Sequence, residues 1–103
     1  MSRLVKIAQT NDVAPGSGKE LQVEGHSIAL FNVAGSFYAI DNNCPHVGGP
    51  LAEGQVAAEV VSCPWHNAKF NVKTGEVLGP PARKGVQSFP VKVQGNDVLV
   101  ELD

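Results

Sequence analysis

The residues best suited to chemistry in this chain are its two cysteines and two of its three histidines, which lie in two short segments. The first segment reads Cys44-Pro45-His46 and the second reads Cys63-Pro64-Trp65-His66. Three chemistries fit a thiol and an imidazole in each of two loops. They are a zinc ion with four ligands, a two-iron, two-sulfide cluster with cysteines on one iron and histidines on the other, and a disulfide that leaves the histidines unused.

The spacing within each loop favours the cluster over zinc. Zinc sites built from short turns usually repeat Cys-x-x-Cys, so that both thiolates of one turn reach the same ion. Here each loop mixes one cysteine with one histidine, which suits a site where thiolates bind one metal and imidazoles another. Gly48 and Gly49 stand beside the first loop, and the missing side chains would let backbone N–H groups approach bridging sulfides.

Short β-like runs separated by glycine turns must position these loops. The predicted strands cover residues 3–8, 19–24, 27–34, 37–40, 59–62, 69–72 and 76–78, and two alternating runs follow at 89–93 and 98–102. Gly95-Asn96 predicts a two-residue hairpin between the last two runs. Pro90 predicts that its strand lies at a sheet edge or contains a bulge. No window of 12 or more residues shows a helical period, so we expect an all-β sandwich or small barrel.

The composition along the chain predicts one domain with an insertion. A chain of 103 residues is enough for a single domain. Residues 42–54 are rich in glycine and proline, and Gly79-Pro80-Pro81 forms a second rigid loop. We therefore expect a β base made of residues 1–41 and 82–103, with residues 42–81 inserted as a cluster-binding subdomain.

Charge and hydropathy restrict the partners and the compartment. The net charge is −2 and no basic run is present, so nothing suggests nucleic acid or an anionic membrane as partner. The apolar part of the first nine residues is too short for the apolar region of a signal peptide. No stretch approaches the roughly 20 apolar residues that cross a bilayer. We expect a soluble, cytoplasmic protein, in which reduced thiols favour metal binding over a disulfide.

At this point the residues resemble the Rieske family of iron–sulfur proteins. The matching segments are Cys44-Pro45-His46-Val47-Gly48-Gly49-Pro50-Leu51, Cys63-Pro64-Trp65-His66-Asn67-Ala68-Lys69-Phe70, Thr74-Gly75 and Gly79-Pro80-Pro81. The resemblance covers nearly the whole chain and implies an antiparallel β-sandwich or barrel base that carries a small cluster-binding subdomain. It implies that Cys44 and Cys63 bind the inner iron of a [2Fe-2S] cluster, while His46 and His66 bind the outer iron.

The resemblance also indicates a low reduction potential. High-potential members have an extra cysteine in each loop, at positions that are Gly49 and Trp65 here. They also direct a serine and a tyrosine hydroxyl toward the cluster, at positions that are Ala68 and Phe70 here. Each missing hydroxyl removes a hydrogen bond that would stabilise the reduced cluster. We therefore expect a potential near the low end of the Rieske range, at about −150 mV.

We expect an electron carrier rather than an enzyme. Only His26, a surface turn residue by its context, is left outside the ligand set, so a second iron site with two histidines cannot form. No flavin or nicotinamide fingerprint is present either. The resemblance implies a carrier that passes single electrons from a flavin-dependent reductase to a terminal ring-hydroxylating dioxygenase, and we expect it to be a monomer. A small subunit of assimilatory nitrite reductase is the alternative, and a zinc-stabilised binding module without redox role is the alternative of another class.

Overall fold

The computed structural model describes residues 3–42, 50–64, 68–79 and 85–102. In these ranges the strands are β1 (Arg3–Gln9), β2 (Ser17–Val23), β3 (His26–Val33), β4 (Ser36–Asp41), β5 (Gln55–Ala57), β6 (Val60–Ser62), β7 (Lys69–Asn71), β8 (Val77–Gly79), β9 (Ser88–Phe89), β10 (Val91–Gln94) and β11 (Asp97–Leu102). The helical segments of the same ranges are two short 3-10 turns, Thr10–Asp12 and Leu51–Glu53. The all-β prediction is confirmed. Among the described residues, no helix is long and apolar enough to cross a membrane.

The strands form three antiparallel sheets with the orders β1-β11-β10, β2-β3-β4-β9 and β5-β6-β7-β8. Two-residue turns set the register of the second sheet, since Val23 pairs with His26 and Val33 pairs with Ser36. The turn between β3 and β4 has positive φ at both central residues, 51° at Ala34 and 91° at Gly35. A turn of this kind matches the twist of the flanking strands. Its second residue is glycine because glycine adopts a positive φ without steric cost.

Pro90 separates two strands that belong to different sheets. Phe89 of β9 pairs with Ala39 in the second sheet, whereas Val91 of β10 pairs with Val100 in the first. Both β9 and β10 lie at sheet edges, as the proline predicts, because proline cannot donate a ladder hydrogen bond. The prediction of one continuous strand over 89–93 is wrong, since the chain changes sheets at this point.

The middle of β3, in the second sheet, is buried on both faces. Along β3, Ile28 and Leu30 contribute to a core cluster shared with the first sheet, and the alternate residues Ala29 and Phe31 contribute to a cluster shared with the third sheet. Successive side chains of a strand point to opposite faces, so β3 connects the two cores. Residues 28–32 of the predicted run 27–34 are all buried, because neither face of this part of the strand meets water.

The third sheet lies within residues 55–79, all of which belong to the predicted insertion. Its first strand, β5, was not predicted; it pairs with β6 through Val56 and Val61. The division into a base and a cluster-binding subdomain stays a prediction.

Candidate metal centre

Cys63 is the predicted ligand that the structure describes. Cys44, His46 and His66 lie outside the described residues, and so does Trp65. The side chain of Cys63 is 0% exposed, and the residue follows directly after β6. Within the described ranges no group of three or more histidine, cysteine and acidic residues could hold a metal ion, and three of the four predicted ligands lie outside those ranges.

The β6–β7 hairpin positions Cys63. The ladder pairs Val61 with Phe70 and Ser62 with Lys69. It then continues into the loop, where the backbone N–H of Cys63 donates to the carbonyl oxygen of Ala68 at 2.7 Å. The loop that contains positions 63 and 66 therefore starts and ends at fixed points. Strand alternation places Cys63 on the same buried side as Val61.

The surroundings of Cys63 are apolar. Its core cluster includes Leu51, Ala52, Ala68 and Phe70, all of which are buried. A thiolate alone in such a place would be costly, because burial of an unpaired charge is strongly unfavourable. A bound iron would supply the compensating positive charge for a coordinated thiolate. A buried cysteine at the end of a rigid hairpin thus fits a metal centre.

The loop that contains Cys44 and His46 is also closed at its base. The backbone N–H of Leu51 donates to the carbonyl oxygen of Asn42 at 2.8 Å, and the N–H of Ala52 donates to Oδ1 of Asn42 at 2.8 Å. Sequence reasoning missed Asn42. Its position after a strand and before a glycine-rich and proline-rich loop was the available signal, since asparagine side chains commonly bond to nearby backbone in turns.

The surface beside Cys63 contains a cavity of about 340 Å³, lined by Glu53, Gly54, Gln55, Ser62, Cys63 and Pro64. Gly54 is required here, because a Cβ at this position would stand 2.0 Å from the carbonyl oxygen of Ser62. A larger groove of about 510 Å³ lies on the first sheet, lined by Arg3, Leu4, Pro90, Val91, Lys92 and Glu101. None of its lining residues is a predicted ligand, so size does not identify the functional site.

His26 has the surface position that the sequence predicts. It is the first residue of β3 and is exposed. Its ring meets that of Phe89 edge to face, with 5.8 Å between the ring centroids. This packing contact explains the position of the His26 ring without a role as a metal ligand.

Comparison with known proteins identifies the class. The family model of the Rieske [2Fe-2S] domain matches residues 3–90. The chain therefore belongs to the Rieske [2Fe-2S] family, and its cofactor is a [2Fe-2S] cluster.

Particular relatives narrow this class. The ferredoxin component of biphenyl 2,3-dioxygenase from Rhodococcus jostii (strain RHA1) is 39% identical over 100 residues, which are 97% of this chain and 94% of that protein. The solved ferredoxin of carbazole 1,9a-dioxygenase from Nocardioides aromaticivorans IC177 is 31% identical with a TM-score of 0.90, covering 94% of this chain and 95% of the other.

Two further solved structures bear on the partners. A complex of reduced oxygenase and oxidized ferredoxin in carbazole 1,9a-dioxygenase contains a chain that is 31% identical with a TM-score of 0.88, covering 94% of this chain and 91% of the other. A protein named as the small subunit of an NADPH nitrite reductase is 26% identical with a TM-score of 0.83, covering 95% of this chain and 97% of the other.

Proposed function

We propose that this protein is the ferredoxin component of a ring-hydroxylating dioxygenase system. It accepts single electrons from a flavin-dependent reductase and delivers them to a terminal oxygenase, and it catalyses no reaction alone. The observation that carries this proposal is the 39% identity to a biphenyl dioxygenase ferredoxin over 97% of the chain. We further propose that it works as a cytoplasmic monomer that docks weakly on its partners, since a shuttle must dissociate between transfers.

The proposed ligands are Cys44 and Cys63 for the inner iron, with His46 and His66 for the outer iron. The burial of Cys63 in an apolar cluster supports the assignment of a thiolate to the inner position. The closed bases of both loops support it as well, because ligands that meet at one cofactor must be held by rigid elements. The same loops fall in the proposed cluster-binding subdomain of residues 42–81.

The bound cluster supplies storage for one electron. The chain supplies the surroundings that set the energy of this electron. Ala68 and Phe70 line the core around Cys63 and carry no hydroxyl, so neither side chain can donate a hydrogen bond to a sulfur. Core packing around Cys63 also excludes water from this side of the site. Both properties favour a low potential, because fewer hydrogen bonds stabilise the reduced state.

Electron delivery can be tested with purified components. The protein is reduced under anaerobic conditions and mixed with the oxygenase component of an aromatic-ring dioxygenase, its substrate and oxygen. We expect oxidation of the carrier, followed by visible absorbance, and formation of hydroxylated product. The Cys63→Ala variant, which lacks a proposed ligand, is the matched control and should give no product. Failure with every dioxygenase oxygenase component tried would contradict the proposal.

The 26% identity to a nitrite reductase small subunit, with a TM-score of 0.83, supports a second candidate function. A pull-down of the tagged protein from its own cells separates the two. Copurification with a siroheme enzyme would favour the nitrite reductase subunit, whereas an oxygenase with mononuclear iron would favour the ferredoxin. Zinc in place of iron and sulfide, with a colourless protein, would overturn both.

A further inference from the structure

We infer that Asn42 is a positioning residue for the cluster, because it ties the loop of Cys44 and His46 to the core that contains Cys63. This role rests on the proposed ligand assignment. Asn42 comes directly after β4 and stands two residues before the first proposed ligand. It is 2% exposed, which is unusual for an asparagine.

Asn42 bonds in two directions. Its backbone N–H donates to the carbonyl oxygen of Ser27 at 2.9 Å, which attaches it to β3. Its carbonyl oxygen accepts from the N–H of Leu51 at 2.8 Å, and its Oδ1 accepts from the N–H of Ala52 at 2.8 Å. A single residue thus connects the second sheet, the start of the loop and the segment that follows the loop.

The segment that Asn42 holds belongs to the core around Cys63. Leu51 and Ala52 are buried in the same cluster as Cys63. Two residues of extended chain span at most about 7 Å, so the backbone of Cys44 cannot move far from Asn42. The hydrogen bonds of Asn42 therefore fix the point at which the chain leaves β4 toward Cys44 relative to the core that contains Cys63.

Asn32 offers a matched control for the purely structural role of a buried asparagine. It is 4% exposed. Its Nδ2 donates to the carbonyl oxygen of Val13 and its Oδ1 accepts from the N–H of Gly35, each at 2.8 Å. These partners lie near β2 and in the β3–β4 turn, and neither belongs to a loop that contains a proposed ligand. Loss of either asparagine should weaken the fold, but only loss of Asn42 should disturb the cluster.

The test compares the cluster-loaded proteins Asn42→Ala and Asn32→Ala with the wild type. Iron loss to a chelator is followed below the unfolding temperature, and EPR spectra are recorded after reduction with dithionite. We expect Asn42→Ala to lose iron roughly tenfold faster, since removal of a buried acceptor strands its donor, and to show shifted g-values. Asn32→Ala should melt at a lower temperature but keep the wild-type iron loss and spectrum. Wild-type behaviour of Asn42→Ala, or equal changes in both variants, would overturn the inference.

Hydrogen exchange in the wild type tests the same inference without the variant, and is decisive if Asn42→Ala does not fold. The amides of Ala52 and Gly35 each donate to an asparagine Oδ1 at 2.8 Å. We expect removal of the cluster to accelerate exchange at Ala52 and to leave Gly35 unchanged. An equal response at both amides, or none at Ala52, would refute the positioning role. A wild type that binds no [2Fe-2S] cluster would instead contradict the proposed function itself.

Discussion

The backbone N–H of Cys63 donates to the carbonyl oxygen of Ala68 at 2.7 Å, which joins the residue directly after β6 to the residue directly before β7. This bond extends the β6–β7 ladder by one step beyond the pair of Ser62 and Lys69. Because the bond uses only backbone atoms, the side chain of Cys63 can be changed while the hairpin is kept. The ligand role of the thiol is therefore separable from the folding of the loop.

Replacement of Cys63 by alanine should abolish the cluster. The variant loses a proposed ligand of the inner iron, while the backbone bond to Ala68 stays available. We expect loss of the red-brown colour and of bound iron, with the far-ultraviolet circular dichroism of the β-sheets retained. Ser62→Ala is the control, since this neighbouring side chain is only partly buried and should leave the colour unchanged. A wild-type visible spectrum in Cys63→Ala would refute the ligand assignment.

Replacement of Phe70 by tyrosine should raise the reduction potential. Phe70 is buried in the cluster that contains Cys63. A tyrosine hydroxyl that donates to a sulfur would stabilise the more negative, reduced state. One such bond is worth on the order of 50 mV for a one-electron couple. Protein-film voltammetry measures the shift.

Phe31→Tyr is the matched control for this substitution. Phe31 is buried in the same core cluster, but it lies on β3 rather than on the hairpin of Cys63. It adds the same hydroxyl, and we expect a loss of stability without the rise in potential. A potential unchanged in Phe70→Tyr would mean that position 70 does not match the tyrosine position of high-potential relatives.

Local patterns in the sequence were sufficient to predict most strands. Val98, Val100 and Leu102 alternate with polar or less buried neighbours, and all three are buried. The prediction failed for β5, because its three residues include one large apolar side chain, Val56, and pair with β6 across a tight turn. It also failed at Pro90, because the alternation of apolar residues continues through the change of sheet. The proline predicts an edge or a bulge, but not that the chain moves to another sheet.

The sequence likewise predicts only part of the candidate site. Residue types and spacing in the sequence predict Cys44, His46, Cys63 and His66 as ligands, and this assignment stays a prediction. The role proposed for Asn42 was missed, because its place after a strand and before the loop suggests a local bond, whereas its side chain accepts from an amide ten positions along the chain. Side-chain hydrogen bonds between distant positions depend on where the chain returns to the core. The periodicity of apolar residues does not predict that path.

The pair of Lys73 and Glu59 should contribute little to stability. Nζ of Lys73 lies 3.5 Å from Oε1 of Glu59 and 5.8 Å from the ring centroid of Tyr38. Both charged side chains are about half exposed, so solvent screens their attraction. We expect Glu59→Gln to lower the free energy of unfolding by less than about 1 kcal/mol at low salt, and by less still in 1 M salt. Urea titrations measure this, and a loss above about 2 kcal/mol would contradict it.

Replacement of Gly75 by alanine should be far more damaging than the same change at another turn glycine. Gly75 has φ of +78°, and a Cβ there would stand 2.0 Å from the carbonyl oxygen of Val86. The N–H of Val86 donates to the carbonyl oxygen of Gly75 at 2.8 Å, so the close approach cannot relax without loss of this bond. We expect a loss of at least about 3 kcal/mol, from the left-handed backbone and the overlap together.

Gly35→Ala is the control that measures the cost of the left-handed backbone without a steric overlap. Gly35 has φ of +91°, and a Cβ at this position would meet nothing within 4 Å. It should therefore cost only the left-handed preference, about 1 kcal/mol. The difference in the free energy of unfolding between the two variants measures how tightly the turn before β8 is held against Val86. Equal stability of the two variants would show that the contact between Gly75 and Val86 does not restrain this segment.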